Sequence, residues 1–193
     1  VTSIPLNLSA VTQLDEVRFY QICQSNPDLK LELNSTGELI IMSPTGGITG
    51  KLNSDINTEL NLWNRQTNLG IVFDSSTGFQ LPNGANRSPD AAWINLTRWH
   101  QLTIQQQEKF IPLCPDFVIE LRSSSDNLKN LQDKLTEYIN NGTNLGWLIN
   151  RQDKQVEIYR QGKLKQVLNL PPIITGGDIL PGFTLNLELI WSI

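Results

Sequence analysis

The chain has 193 residues, 18% of them charged, and a formal net charge of −4. That length suits one domain with a sizeable core, and the acid excess leaves no general field to draw in a polyanion, so a nucleic-acid contact would need a local basic patch. A single histidine, His100, and two widely separated cysteines, Cys23 and Cys114, exclude multi-histidine and paired-thiolate metal sites, and any Ser-His-Asp scheme that does not use His100.

Taken in chain order, the first helix is expected from Thr12 to about Ser25. Thr12 with Asp15 resembles a capping box that uses Asp for the commoner Glu, and "NPD" ends the helix. "LKLELN" and "ELIIMS" alternate as strands around "STG" and predict a hairpin. After the loop "SPTGG", a helix is expected from about Ile48 to Gln66. Ile48, Leu52, Ile56, Leu60 and Trp63 recur at helical spacing, and Glu59 falls inside that stripe. Strands follow at "IVFD", "GFQL" and "AAWIN", then an irregular or helical stretch to about Phe110, then a strand over 117–122.

Asp126 is expected to cap a helix reaching Asn141, closed by Gly142. Its apolar stripe is Leu128, Leu131, Leu135, Tyr138 and Ile139, with Lys134 at the edge. "LGWLIN" reads as a buried strand, "QVEIYRQGKLKQVLNL" as a hairpin turning at Gln161–Gly162, and "GDILPGFTLNLELIW" as one more edge strand. The order of elements defines an α/β class, a mixed sheet with helices on its faces. No apolar run reaches the roughly 18 residues of a membrane span. "VTSIPLNLSA" has no basic end leading into an apolar stretch, so no signal peptide is expected and the cytoplasm is the expected location. The two cysteines are expected to pack as small apolar groups in that reducing compartment.

"PDFVIELRSSSDN" carries the chemistry. On a strand, Phe117, Ile119 and Leu121 share one face while Val118, Glu120 and Arg122 share the other. A carboxylate in a core strand is costly unless something pairs with it. Two readings stand open at this point: an internal Glu120–Arg122 salt bridge on a half-exposed strand, or a metal-binding carboxylate. Asp116 precedes Glu120 by four residues, roughly 13 Å along a strand, which is too far to share an ion. Asp90 opens "AAWIN", and on a neighbouring strand it could converge with Glu120 on one divalent cation. Oxygen ligands suit Mg²⁺ or Mn²⁺. Arg151, Lys154, Arg160, Lys163 and Lys165 make the late hairpin locally basic, either as a solvated hairpin or as a patch that tracks a nucleic-acid backbone.

Asp90, a gap, then Glu120-Leu121-Arg122 resembles the PD-(D/E)xK nuclease signature with its last residue changed. "GELIIMSPTGG", "NRSPDAAWI", "PDFVIELRSSSDNLKNLQDKLTEYINNGTNLGWLIN" and "LPGFTL" occur in this order and resemble the Uma-two family of restriction-endonuclease-like proteins, over about Thr12 to Trp191. The resemblance implies a restriction-endonuclease-like α/β core spanning residues 1–193 as a single domain. It makes Asp90 and Glu120 metal ligands that activate water at a scissile phosphate. Arg122 stands where the superfamily prefers lysine. Lys134 in "LQDKLTEY" matches a lysine common in the family and could take that role from the adjacent helix. Glu59 is the candidate for the acid that many superfamily members place on the first core helix. Thr49 stands where family members often carry histidine.

The resulting expectation is a Mg²⁺- or Mn²⁺-dependent DNA endonuclease, with DNA as partner and a homodimer by analogy with nucleases that cut both strands. Arg122 and Thr49 keep open a nucleic-acid-binding module that has lost catalysis. The acidic net charge keeps open a structural or interaction protein.

Overall fold

The apolar alternation of the central strands and the 3.6-residue stripes of two helices set the layers of this molecule. The computed structural model describes residues 3–12 and 14–192. From the N-terminus come strand β1 (Ser3–Leu6), helix α1 (Glu16–Ser25), β2 (Lys30–Leu33), β3 (Leu39–Met42) and α2 (Gly47–Thr67). Next are β4 (Gly70–Asp74), β5 (Phe79–Gln80), β6 (Asn86–Arg87), β7 (Ala91–Asn95) and the short helices α3 (Leu96–Trp99) and α4 (Ile104–Gln107). The second half holds β8 (Phe117–Arg122), α5 (Leu128–Asn140), β9 (Leu145–Asn150), β10 (Gln155–Arg160) and β11 (Gln166–Asn169). It ends with β12 (Ile173–Thr175), β13 (Thr184–Asn186) and α6 (Glu188–Trp191).

A six-stranded mixed sheet runs in the order β11-β10-β9-β8-β7-β4. Only β8 and β9 pair in parallel within it, and α5 supplies the crossover that a parallel pair needs. One face packs Phe117, Ile119, Leu121 and Trp147 against Leu52, Ile56, Leu60 and Trp63 of α2 and against Phe183 and Leu185 near the C-terminus. The opposite face packs Val118 and Leu148 against Leu135 and Tyr138 of α5. Gly146 of β9 makes that second contact close: a Cβ there would lie 2.6 Å from the Leu135 side chain. A smaller antiparallel sheet, β1-β3-β2-β6-β5, buries Leu31, Leu33 and Leu39 against Phe19 of α1.

Several local expectations are corrected. Helix α1 begins after Asp15, which is itself the N-cap and accepts from the Arg18 amide at 2.8 Å, so Thr12 lies outside the helix; Gln13 lies outside the described residues. Asn127, not Asp126, caps α5, while the Asp126 carboxylate accepts from the Ser123 amide at 2.8 Å in the preceding turn. The tail does not extend the main sheet. Its β12 and β13 pair only with each other, and Phe183 stacks on Trp147 with ring centroids 5.8 Å apart. The hairpin at Gly162 forms as expected, with φ +69° at that glycine. Among the described residues, no helix is long and apolar enough to cross a membrane.

Candidate active site

Three structural units meet at one cleft of about 630 Å³: the outer face of the small sheet, the ends of β7 and β8, and the flank of α5. Its contents follow from side-chain alternation. In β2, Leu31 and Leu33 face α1, so Lys30 and Glu32 face the cleft. In β8, Phe117, Ile119 and Leu121 enter the α2 side of the core, so Glu120 falls on the α5 side, 3% exposed. Ala91 pairs with Ile119 across antiparallel β7 and β8, and one more step of that register sets Asp90 opposite Glu120. Both acids line the cleft.

Lys134 sits one residue before buried Leu135 on α5, and its ammonium lies between Glu120 and Glu32. Its Nζ lies 2.8 Å from Glu120 Oε1 and 2.9 Å from Glu32 Oε1, and it donates to the Ser88 carbonyl at 3.3 Å. Toward Glu32 the contact is a hydrogen bond. Toward Glu120 it is an ion pair off the hydrogen-bonding direction, and Glu120 Oε1 is buried with no hydrogen-bond partner. Glu32 is more completely held. Its Oε1 also accepts from the Ser88 amide at 2.9 Å, and its Oε2 accepts from Arg87 Nη1 at 3.2 Å. Arg87 Nε in turn donates to Glu137 Oε2 at 2.6 Å. Asp90 is fixed from two sides: Oδ2 accepts from the Leu121 amide at 2.8 Å and Oδ1 from Asn53 Nδ2 of α2 at 3.1 Å.

The electrostatics separate these acids. Burial pushes the Glu120 carboxyl up to about 7; Lys134 opposes the shift, while Asp90 and Glu32 add to it. Burial also raises the Asp90 carboxyl, against the Leu121 amide that favours its charged form. Glu32 is buried too, but Lys134 and Arg87 more than reverse the effect and bring it down to about 2. Burial acts to discharge Lys134, yet Glu120 and Glu32 hold it protonated, above its ordinary value. Around Lys134 the cleft therefore gathers one securely ionised glutamate and two carboxyls whose charge the surroundings resist.

Other candidates lie elsewhere. Arg122 turns out of the cleft: its Nη1 donates to Asn150 Oδ1 at 3.1 Å and to Asp153 Oδ2 at 3.2 Å, so there is no Glu120–Arg122 pair. Glu59 is exposed and does not line the cleft. The α2 residues that reach Asp90 are Asn53 and Asn57, and Glu59 stands two residues past Asn57, about 200° around the helix. Thr49, 9% exposed, is the α2 side chain at the cleft wall. Asp116 is taken up by Arg98 at 2.7 Å, by Asn144 and by the Asn95 amide. In the basic hairpin, Lys165 pairs with Glu157 at 2.9 Å. Burial pushes the Cys114 thiol up to about 11, which suits packing rather than nucleophilic work. Glu32, which the sequence pattern presents as an ordinary strand residue, is the buried cleft acid that pattern misses. Among the described residues, no group of three or more His, Cys, Asp or Glu is disposed around one metal position.

The mixed sheet flanked by helices is a restriction-endonuclease-like core. The sequence profile of the Uma2 (Uma-two) family, described as "Putative restriction endonuclease", matches residues 17–188, and the chain belongs to this family. Among solved structures, the chain is similar to a crystal structure described as "a putative nuclease belonging to DUF820" from Anabaena variabilis. The TM-score is 0.72 at 17% identity, covering 84% of this chain and 89% of that one, a likeness that bears on the fold. No curated protein matches.

Proposed function

We propose that this chain is a Mg²⁺- or Mn²⁺-dependent DNA endonuclease that hydrolyses phosphodiester bonds in the cleft between the small sheet and α5. The observation that carries the reading is Glu120: a carboxylate 3% exposed at a cleft floor, opposite Asp90, with Oε1 lacking a hydrogen-bond partner. A purely structural buried acid is expected to be satisfied. The donor set fits Mg²⁺, which is usually held by one or two carboxylates together with substrate phosphates and water rather than by an all-protein cage. Asp90 and Glu120 would hold it. When bound, such a cation supplies Lewis acidity and a more acidic water at the scissile phosphate.

The chain's own residues do the rest. Asn53 and the Leu121 amide orient Asp90. Lys134 carries positive charge toward the position where a phosphate oxygen would gain negative charge. Seven acids and three bases line the cleft, so a phosphate backbone is repelled until a cation enters. DNA affinity should therefore rise with divalent cation. A catalytically weakened binding module is the second reading, supported by Arg122 being engaged outside the cleft at Asn150 and Asp153.

The test is nicking of supercoiled plasmid with Mg²⁺ or Mn²⁺ by the wild type, Glu120→Gln and Lys134→Ala. Cation-dependent nicking lost in both variants supports the reading. Activity that survives in Glu120→Gln, or that ignores chelator, ends it.

A further inference from the structure

Lys134 presents one ammonium to two carboxylates, and the two contacts differ. With Glu32 it makes a 2.9 Å hydrogen bond, and it adds a second to the Ser88 carbonyl at 3.3 Å. With Glu120 it stands at 2.8 Å without hydrogen-bond alignment. Glu32 cannot follow the lysine if Lys134 moves. Its Oε1 is tied to the Ser88 amide and its Oε2 to Arg87, which Glu137 anchors at 2.6 Å. The result is a buried chain of alternating charge, Glu120–Lys134–Glu32–Arg87–Glu137, pinned at the small-sheet end and loose at Glu120.

We infer that Glu32 is a positioning residue for the cation site: it retains the Lys134 ammonium so that the Glu120 carboxylate is open to a divalent cation. The inference rests on the proposed cation site of Asp90 and Glu120. A lysine has three N–H donors, and Glu32 with the Ser88 carbonyl meets two of them without Glu120. Remove the Glu32 charge, and Glu120 becomes the lysine's only carboxylate. The ammonium then competes with the cation for the same oxygen. Glu32 thus acts through Lys134 and touches no reacting atom.

The pair predicts a dependence on Lys134 that a structural tie does not. Mn²⁺ binding by the full chain is measured from loss of the free-ion EPR signal, for the wild type, Glu32→Gln, Lys134→Gln, the double variant and Asp90→Asn. Glu32→Gln is expected to weaken Mn²⁺ affinity by about 10-fold or more, the scale of losing a supporting partner of a metal ligand. With Lys134→Gln already in place, Glu32→Gln should change affinity by less than about threefold, because the competitor is gone. Unchanged affinity in Glu32→Gln, or an equal loss in both backgrounds, overturns the positioning role while leaving the cation site standing. A wild type that binds Mn²⁺ no better than Asp90→Asn overturns the site itself and this role with it. Circular dichroism checks each fold. If Glu32→Gln does not fold, Glu32→Asp carries the same comparison, with a weakening that must again require Lys134.

Discussion

Two buried glutamates share one row of the main sheet. Glu120 of β8 and Glu157 of β10 both pair with Leu148 of β9 between them, so they sit on the same face, about 10 Å apart, beneath α5. They are 3% and 4% exposed, and each has a lysine at hand. Their surroundings are opposite. Glu157 accepts from Gln132 Nε2 at 2.6 Å, from the Tyr159 hydroxyl at 2.5 Å and from Lys165 Nζ at 2.9 Å. Those bonds outweigh its burial and lower its carboxyl below the ordinary value. Glu120 has Lys134 alone, misaligned, with Asp90 and Glu32 adding negative charge, and its carboxyl rises to about 7. Both are closed to solvent, but Glu157 lies less deep than Glu120, so burial weighs less on its charge. Beyond depth, satisfaction separates them: Glu157 is a finished network, and Glu120 is an open valence at a cleft.

Four measurements can break or sharpen that contrast. The largest effect should be on activity. Glu120→Gln keeps the shape and removes the charge, so nicking should fall by about 10²–10³-fold or more, the scale of losing a group that meets transition-state charge, here the cation that Glu120 would hold. Glu157→Gln should nick plasmid as the wild type does. Equal losses in both variants would mean that the row matters only for folding.

Stability with and without cation comes next. At 100 times its Kd, a cation that binds only the folded state adds about 2.7 kcal/mol. Mn²⁺ should therefore raise the melting temperature of the wild type and of Glu157→Gln, and a chelator should reverse it. Glu120→Gln should not respond. Without cation the order reverses. Glu157→Gln leaves the Tyr159 hydroxyl and Lys165 poorly paired and should cost about 1–3 kcal/mol in urea denaturation. A Glu157→Gln protein as stable as the wild type would deny that the network is finished.

The pH dependence of stability should also split. The Glu120 carboxyl is raised in the folded state, so the unfolded chain releases its proton first as pH rises. Its contribution falls from about pH 4.5 to about 7 and is flat above that. Glu32, lowered to about 2, contributes above the ordinary carboxyl range and is lost as pH falls through about 2. Without cation, Glu120→Gln should therefore gain stability relative to the wild type between pH 4.5 and 7, read by urea titration at each pH. A constant difference across that range would remove the open-valence argument.

The contrast also shows what a sequence can carry. That Asp90 and Glu120 would meet at one cleft was legible because strand alternation sets the face of each side chain and β7 and β8 are neighbouring strands. Glu32 was not. In "LKLELN" the charges alternate with leucines just as on a solvated strand, and the lysine that buries Glu32 arrives from α5, 102 residues later. Glu59 misled for a related reason. The α2 stripe is broad, and its packing against the main sheet and Phe183 turns Leu60 and Trp63 inward and leaves Glu59 outside. The choice between Asp126 and Asn127 as cap depends on one turn, in which Asp126 bonds back to the Ser123 amide and leaves the helix start to its neighbour.

The smallest effect concerns Arg122, the residue that the sequence resemblance sets in the last position of the nuclease signature. Its guanidinium ties the end of β8 to the end of β9 at Asn150 and to the turn that follows at Asp153. Asp153 is 53% exposed in its side chain, so water screens that ion pair and its loss should cost about 0–1 kcal/mol. Arg122→Ala should lower the urea midpoint slightly and leave nicking close to wild type, whereas Lys134→Ala should abolish it, since Lys134 is the cation 2.8 Å from Glu120. The two variants are compared at matched protein and Mn²⁺ concentration, with folding checked by circular dichroism. If Arg122→Ala loses nicking while its stability holds, the guanidinium must leave Asp153 and swing into the cleft when DNA binds. The open valence at Glu120 would then be served by the signature position after all, and Lys134 would be its counter-ion in the resting protein only.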